Sequence, residues 1–417
     1  MTIDADNTAG IRLSDRIVPE AELLARHERC RSLMAALHPE AGGLMVFSRV
    51  GMYYFTGTLA NGVFWLPARG EALLMLRKGL ERARLESPYI RTAVYRSYSE
   101  LGRVAAGAGS PLTPVISAEQ SGLPWNMAEN LRQRLPDSTF QDAMNLMNQL
   151  RALKSPWEME RMRTAGAGMA RSTEDILPGR LHPGMTEMEV ARIVSDVFFS
   201  QGSCGLTRMN AAGEEMFLGY TSSGQGGNYP TYYNGPLGSF GMHPAAPYLG
   251  SPHKVWEKGE FLLVDTGFCF EGYNTDKTIS YFAGKEKDIP TRAAKGHELC
   301  RRIELDIARE LRPGAIPAEL YAKALAMADQ GGFGKEFMGL GENKVPFLGH
   351  GIGLCIDEWP VIAARFTRPL EAGMTIALEP KVGLPGIGMV GTENTWEITE
   401  DGGVCQSGTV CGIVCVE

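Results

Sequence analysis

The chain has 417 residues, of which 44% are hydrophobic and 21% charged, the composition of an ordinary globular protein. A single hydrophobic core usually stops growing below this length, so the length predicts two domains. The net charge of -7 argues against a nucleic-acid partner, and no apolar run is long enough to cross a bilayer.

The amino-terminal residues and the cysteines bear on the cellular compartment. The first residues are polar and acidic and lack the apolar core of a signal peptide. The eight cysteines have no paired CxxC spacing, and a chain of this length does not need disulfide bonds. We therefore expect a cytoplasmic protein with reduced thiols and no membrane partner.

The first part of the chain has the pattern of a small α/β domain. Short apolar runs between residues 43 and 76 alternate with Gly, Asn and Pro, which predicts several strands, one of them in the run MYYF at 52–55. Helical spacing covers 20–37 and 126–135. Carboxylates and histidines do not gather in this region, and we place its boundary near residue 150.

Helices and one long loop follow this domain. Residues 144–169 predict two helices with a stop at Ser155 and Pro156, which is typical of a joint between domains. A further helix over 186–200 begins with a Thr-x-x-Glu capping box. The stretch from 202 to 259 is rich in Gly, Tyr and Pro and too long for an ordinary connection, so we expect a functional loop.

Two aspartates flank a predicted β-hairpin. Asp265 and Asp276 lie in apolar runs on either side of a Gly-containing turn. If the hairpin closes near Phe270 and Glu271, the aspartates lie roughly opposite each other and project from one face of the sheet. Two buried like charges repel each other unless a cation lies between them, which suggests a metal ion. The alternative is that one aspartate belongs to the turn or pairs with Lys277.

A second acidic pair repeats this arrangement near the carboxyl terminus. Glu379 and Glu393 are centred on Gly386, within the breaker run GLPGIG between two apolar runs. We expect a second hairpin that brings the glutamates together, and the alternative is a pair of exposed glutamates beside a turn. His350 lies in the run FLGHGIGL, whose glycines allow close approach to a crowded centre.

These five side chains predict a metal site. Four carboxylates and one imidazole suit two divalent ions of the Mn, Co, Fe or Zn type, with bridging carboxylates and a shared water or hydroxide. The histidine disfavours Mg and Ca, which prefer shells of oxygen ligands. The predicted metal ligands are Asp265, Asp276, His350, Glu379 and Glu393.

The motifs around these residues resemble those of a known family. HGIGL at His350, LEP at Glu379 and TEN at Glu393 follow the two aspartates in the order seen in the pita-bread metallopeptidase family, which includes methionine aminopeptidase, prolidase, aminopeptidase P and creatinase. The segment at 150–165 is similar to the start of the catalytic domain in the prolidase and creatinase branch. The resemblance implies an α+β fold, with an N-terminal α/β creatinase/prolidase-type domain at 1–150 and a C-terminal pita-bread domain at 151–417.

The resemblance also implies a reaction. Asp265 would bind one ion, and Asp276 and Glu393 would bridge both. His350 and Glu379 would bind the other ion and carry the catalysis, with Glu379 as proton shuttle. The implied function is a metal-dependent hydrolase of the Xaa-Pro dipeptidase or aminopeptidase type, which cleaves an amide bond with a metal-bridging hydroxide.

Relatives in the two-domain branch are commonly homodimers, in which the small domain of one subunit lies near the active site of the other. The resemblance therefore implies a homodimer that acts on a small peptide or small molecule. It also makes Tyr53, Tyr54, Phe55 and Trp65 candidates for substrate contact, although such aromatic residues more often belong to a core.

Two positions depart from the family pattern. The family usually continues as HGxGLxxHExP, whereas this chain reads HGIGLCIDEWP and has Asp357 at the second histidine. A further family histidine aligns with Tyr248, and His243 and His253 lie close by but out of register. Asp357, Tyr248 and His243 are therefore candidate substrate-binding residues.

Three hypotheses for the function remain open, of which peptide hydrolysis is the first. An aspartate cannot stabilise an oxyanion as an imidazolium can, which weakens the case for ordinary peptide hydrolysis. Asp357 could receive a cationic substrate group, or it could form a structural salt bridge or helix cap. The alternative function is the same fold acting on a small zwitterionic non-peptide metabolite, in a creatinase-like or lyase-like way. A binding protein without catalysis is the third reading.

Overall fold

The computed structural model describes residues 17–211, 215–409 and 412–417. The chain divides into two compact units, unit 1 with residues 1–150 and unit 2 with residues 151–417. Among the residues described, no helix combines the length and the apolar character needed to cross a membrane.

Unit 1 contains a mixed sheet with an apolar centre. In the described residues its strands are β1 (Gly43–Val46), β2 (Asn61–Pro67), β3 (Leu73–Lys78), β4 (Arg91–Val94), β5 (Val115–Ala118) and β6 (Thr139–Asp142). Their order is β4-β3-β2-β1-β5-β6, with β1 antiparallel to β2 and parallel to β5. Every residue of β1 is buried, as in a strand that is covered on both faces.

The helices of unit 1 correct one prediction. They are α1 (Glu20–Leu37), α2 (Arg49–Thr56), α3 (Leu80–Glu86), α4 (Leu101–Gly107), α5 (Trp125–Arg134) and α6 (Met144–Ala152), which runs two residues into unit 2. The predicted strand at 52–55 is wrong, because these residues belong to α2. Ser48 Oγ accepts a hydrogen bond from Gly51 N at 2.9 Å, and Gly57 ends the helix with a φ of 78°. Both ends therefore carry ordinary helix-capping residues, which outweigh the apolar run between them.

The aromatic residues proposed for substrate contact belong mostly to the core of unit 1. Tyr54, Phe55 and Trp65 are 0% exposed. Phe55 stacks on Phe64 with a ring-centroid distance of 5.3 Å. These three side chains are therefore core residues, the interpretation that the sequence analysis favours, because the hydrophobic effect places them inside the unit. Tyr53 is half-buried.

Unit 2 is built on a larger sheet, which gives the α+β fold that the sequence predicts. Its order is β13-β12-β14-β17-β11-β10-β9, with β18 beside β17 and β19 beside β11, and two small hairpins pair β7 with β8 and β15 with β16. The described strands are β7 (Leu206–Arg208), β8 (Glu215–Phe217), β9 (Gly219–Ser223), β10 (Phe261–Phe270), β11 (Tyr273–Ala283), β12 (Gly349–Gly351), β13 (Glu358–Ile362), β14 (Thr375–Leu378), β15 (Lys381–Leu384), β16 (Gly388–Gly391), β17 (Glu393–Thr399), β18 (Gly402–Cys405) and β19 (Val414–Val416). The predicted loop at 202–259 is thus shorter than expected, because β7, β8 and β9 lie within it.

Helices cover the sheet of unit 2 on both faces. They are α7 (Pro156–Ala170), α8 (Glu187–Ser200), α9 (Thr291–Glu310) and α10 (Pro317–Gln330) within the described residues. The stop at Ser155 and Pro156 lies where the sequence predicts it, and Ser155 and Thr186 both form capping boxes. Side chains alternate along β10, so that Phe261 and Leu263 join the core beneath α9 and α10, whereas Leu262 and Val264 join the core beneath α7 and α8. By this alternation Asp265 lies on the α9 and α10 face.

Candidate metal centre

The first hairpin places its two aspartates on one face of the sheet. Asp265 pairs with Thr278, and Asp276 pairs with Gly267. The aspartates lie roughly opposite each other, as expected, with an offset of two residues in the pairing, because the chain turns at Glu271 and Gly272, whose φ values are 48° and 88°. Such a two-residue turn fixes the register of the whole hairpin. The aspartates are diagonal neighbours, and since side chains alternate with a period of two, they still share a face.

The position of the second acidic pair follows from the pairing of β14 with β17. The last pair between β14 and β17 is Leu378 with Asn394, and Glu379 and Glu393 come one residue further on. The apolar run that contains Glu379 forms two strands, β14 and β15, because Pro380 between them has no amide hydrogen to donate. Glu379 is 4% exposed and Glu393 is 2% exposed, so they are not the exposed glutamates of the alternative reading.

The strands arrange the acidic residues in rows across the sheet. Asp265 on β10 pairs with Thr278 on β11, which pairs with Glu393 on β17. Thr278 Oγ1 donates a hydrogen bond to Glu393 Oε2 at 2.8 Å, which fixes the orientation of that carboxylate. In the neighbouring row, Asp276 N donates to Thr395 Oγ1 at 2.8 Å.

His350 enters this second row through β12. It pairs with Ala377 of β14, which in turn pairs with Thr395. The flanking glycines allow the close approach, because a Cβ at Gly349 would lie 2.2 Å from the backbone oxygen of Ala377. His350 Nε2 lies 3.5 Å from Glu379 Oε1. The structure thus brings all five predicted ligands to one place on the sheet.

Three of the five ligands form a compact donor cluster. One donor atom from each of Asp276, His350 and Glu393 lies within 4.8 Å of the other two. Two carboxylates and an imidazole are suitable donors for a divalent transition-metal ion. The residues therefore fit one such ion at this cluster.

The sequence analysis missed Lys381, which lies among the acidic ligands. Its Nζ is 2.7 Å from Glu393 Oε2, 3.0 Å from Glu379 Oε2 and 3.4 Å from Asp265 Oδ2. The side chain is 0% exposed. No local signal in the sequence distinguishes it, because the strand is interrupted between Glu379 and Lys381 and the period of two along a strand does not extend across the break.

Burial and mutual repulsion govern the charges of this site. Burial raises the pKa of Asp276 well above its ordinary value, and the nearby Glu393 and Asp265 raise it further. Burial likewise raises the pKa of Asp265 to about 6, against the opposing effect of Lys381. For His350, burial lowers the pKa, but the hydrogen bond and charge of Glu379 dominate and raise it to about 10. A bound cation would relieve the repulsion between the carboxylates.

A cavity of about 80 Å³ opens beside these residues. Asp357 lines it, and its Oδ1 accepts a hydrogen bond from Asn210 N at 2.6 Å. Burial raises the pKa of Asp357, against the effect of that hydrogen bond. Tyr248 is half-buried and His243 is exposed, and neither lines the cavity. Tyr220 and Tyr233, which belong to the Tyr-rich stretch predicted as a functional loop, do line it.

An ion-pair network holds the segment that carries Asp357. Glu358 is 5% exposed, and its Oε1 accepts a hydrogen bond from Arg151 Nη2 at 2.5 Å. Lys154 Nζ lies 3.3 Å from Glu358 Oε2, and Arg151 Nη1 donates to Asn210 Oδ1 at 3.2 Å. The same Asn210 that contacts Asp357 is therefore held by Arg151, so the network positions this wall of the cavity.

The fold and the ligand cluster define a class of protein that comparison with known families identifies. Residues 160–400 match Metallopeptidase family M24, and residues 26–153 match the Creatinase/Prolidase N-terminal domain. The first match covers more than half of the chain, so the chain belongs to metallopeptidase family M24. The predicted family, the two-domain α+β fold and the hydrolase class are confirmed.

Individual relatives indicate which kind of hydrolase the chain resembles. The chain is 25% identical over 362 residues to an Xaa-Pro dipeptidase of Pyrococcus furiosus, covering 85% of this chain and 89% of that protein. It is 27% identical over 403 residues to a probable dipeptidase PepE of Mycobacterium tuberculosis strain H37Rv, covering 92% and 94%. Dipeptidase PepE from Mycobacterium ulcerans has the same fold, with a TM-score of 0.76 at 23% identity over 96% of this chain and 99% of that one. These relatives do not favour the alternative of a non-peptide metabolite.

Proposed function

We propose that this chain hydrolyses the amide bond of small peptides, in the manner of the Xaa-Pro dipeptidases to which it is similar. The buried cluster of Asp276, His350 and Glu393 beside the cavity carries this proposal. The similarity to proteins named as dipeptidases extends along most of the chain and supports it.

We infer that Asp276, His350 and Glu393 hold a divalent ion of the Mn, Co, Fe or Zn type. When bound, such an ion would polarise the scissile carbonyl and lower the pKa of a water molecule. The prediction of two ions, with Asp265 and Glu379 as further ligands, stays a prediction, because Lys381 lies among the oxygens that a second ion would need.

Glu379 and Asp357 take the remaining roles in this proposal. Glu379 Oε1 faces His350, so the carboxylate can take a proton at that oxygen and pass it to the leaving amine. The carboxyl group of Asp357 lies at the cavity wall, where it can bind the α-ammonium group of a dipeptide. Tyr248 and His243 receive no role here, because they lie outside the cavity lining. A cytoplasmic homodimer is proposed on the sequence resemblance.

Purified protein loaded with Mn²⁺ is assayed against a panel of Xaa-Pro dipeptides and tripeptides. We expect turnover, and a loss of about 10²- to 10⁴-fold in kcat for E379Q, because a positioned proton donor contributes about that much. E310Q on the exposed end of α9 is the matched control and keeps full activity. No turnover across the panel, with metal bound, would contradict peptide hydrolysis.

The same assay tests Asp357. We expect D357N to raise KM for dipeptides with a smaller effect on kcat, since the substrate ammonium contact is equally present in the ground state and the transition state. Loss of kcat without a change in KM would argue against this role.

A further inference from the structure

We propose that the ammonium group of Lys381 takes the place of one of the two metal ions, so that the centre holds a single divalent ion beside a fixed lysine. The inference rests on the proposed metal site and is independent of the proposed substrate. It assigns the ion to Asp276, His350 and Glu393, and the lysine to the position where Asp265 would bind a metal.

The ammonium group of Lys381 lies among three carboxylates and donates hydrogen bonds to two of them, Glu379 and Glu393. An ammonium has three N–H donors, and Nζ lies 2.7 Å from Glu393 Oε2, 3.0 Å from Glu379 Oε2 and 3.4 Å from Asp265 Oδ2. A metal ion bound to Asp265 and Glu393 would compete for two of these three carboxylates. Lys381 therefore occupies the coordination space of that ion with a charge of its own.

Each of the two glutamates directs one carboxylate oxygen to Lys381 and leaves its other oxygen for the site of the single ion. Glu393 turns Oε2 to Lys381 and Thr278, which leaves Oε1 for another partner. Glu379 turns Oε2 to Lys381, while its Oε1 faces His350 Nε2 at 3.5 Å. Each glutamate thus connects the ammonium group with the donor cluster that fits one ion.

The backbone fixes the lysine in this position. Lys381 pairs with Gly391 in the β15 and β16 hairpin, and a Cβ at Gly391 would lie 2.9 Å from Lys381 Cγ. The glycine therefore leaves the space that the lysine stem needs. Because the side chain is 0% exposed, moving the ammonium away from its carboxylates would leave a buried charge without partners. The side chain cannot readily withdraw to admit a second ion.

Metal counting tests the proposal without any measurement of turnover. Wild-type protein, K381A and H350A are saturated with Mn²⁺, freed of loose metal by gel filtration and measured by elemental analysis. We expect one equivalent in the wild type, two in K381A and none in H350A. Electron paramagnetic resonance of the wild type should show an isolated ion, whereas the K381A spectrum should show the coupling of two ions about 3.5–4 Å apart.

Each other outcome overturns the proposal. Two equivalents of Mn²⁺ or none in the wild type would overturn it. One equivalent in a folded K381A protein would also overturn it, because Lys381 would then not be what excludes the second ion. If K381A does not fold, anomalous diffraction from wild-type crystals at the Mn edge decides, with one peak at His350 in support and two peaks against. A wild type with one ion and no peptide turnover would support this inference and contradict the proposed function.

Discussion

Glu304 shows how a single buried residue supports the strand that carries a candidate ligand. It lies on α9, and its Oε1 accepts hydrogen bonds from Asn394 Nδ2 at 2.9 Å and from Trp396 Nε1 at 3.0 Å. Asn394 Oδ1 accepts a further hydrogen bond from Lys277 Nζ at 2.6 Å. Lys277, which the sequence analysis considered as a partner of the aspartates, therefore anchors β17 beside Glu393. Burial raises the pKa of Glu304 to about 7.

This pKa predicts a pH dependence of stability. The folded state holds the Glu304 proton more tightly than the unfolded state, whose pKa is near 4.5, so its stabilising effect is complete below pH 4.5 and is lost as the pH rises to about 7. We expect the unfolding free energy of the wild type to fall relative to E304Q by about 3 kcal/mol over this interval.

Urea denaturation of both proteins at several pH values, at one metal concentration, measures this difference. The glutamine keeps the oxygen that accepts from Asn394 and Trp396, so E304Q is a conservative reference. A constant difference between pH 4.5 and 7 would show that Glu304 does not hold its proton in the folded state.

At the scale of elements, the start of α8 binds two segments of the stretch at 202–259, which the sequence analysis predicts as one long loop. Glu187, in the first turn of the helix, accepts hydrogen bonds from Ser223 N at 2.6 Å and from Ser251 N at 2.9 Å. It thereby fixes the end of β9 and the chain near Ser251 to a single helix terminus. The start of α8 is set by the capping box of Thr186 and Glu189, in which Glu189 Oε2 accepts from Thr186 N at 2.8 Å.

We expect T186A to destabilise the protein by about 1 kcal/mol, because it removes the side chain that caps α8. T164A is the matched control in the interior of α7, where the hydroxyl donates a hydrogen bond to the backbone oxygen of Glu160. Alanine is a better helix former than threonine there, so the control should be neutral or slightly stabilising. Chemical denaturation compares the two, and equal effects would mean that the cap is not what costs stability in T186A.

At the scale of the whole molecule, metal binding and folding are linked through the acidic centre. The donor cluster exists only when β11, β12 and β17 are assembled, so an ion binds the folded chain in preference to the unfolded one. The carboxylates of the centre repel one another, as the raised pKa of Asp276 indicates. A divalent ion bound at this cluster would therefore stabilise the fold.

We expect saturating Mn²⁺ to stabilise the protein by about 2.7 kcal/mol at one hundred times the dissociation constant, which corresponds to a rise of roughly 3–5 °C in the melting temperature. EDTA should reverse the shift. D276N removes one ligand and one negative charge, so its melting temperature without metal should exceed that of the metal-free wild type and should respond little to Mn²⁺. A metal-insensitive wild type would argue against a metal centre at this cluster.

The sequence by itself determined the features that depend on local order along the chain. The ligand types, their spacing about two turns and the period of two along a strand were enough to place Asp265 with Asp276 and Glu379 with Glu393. The helix over 20–37, the stop at Pro156 and the capping box at Thr186 depend on neighbouring residues and were equally accessible.

Only the tertiary structure decided features that arise between distant segments. The turn at Glu271 and Gly272 set the hairpin register, and the pairing of β11 with β17 joined the two acidic pairs into rows. Tyr54 is buried in a core, and the hydrogen bond from Asn210 fixes Asp357 at the cavity wall. In the sequence, nothing distinguishes Lys381 from any other lysine. Its charge lies among three carboxylates because strands far apart in the chain converge there, and no local pattern encodes that convergence.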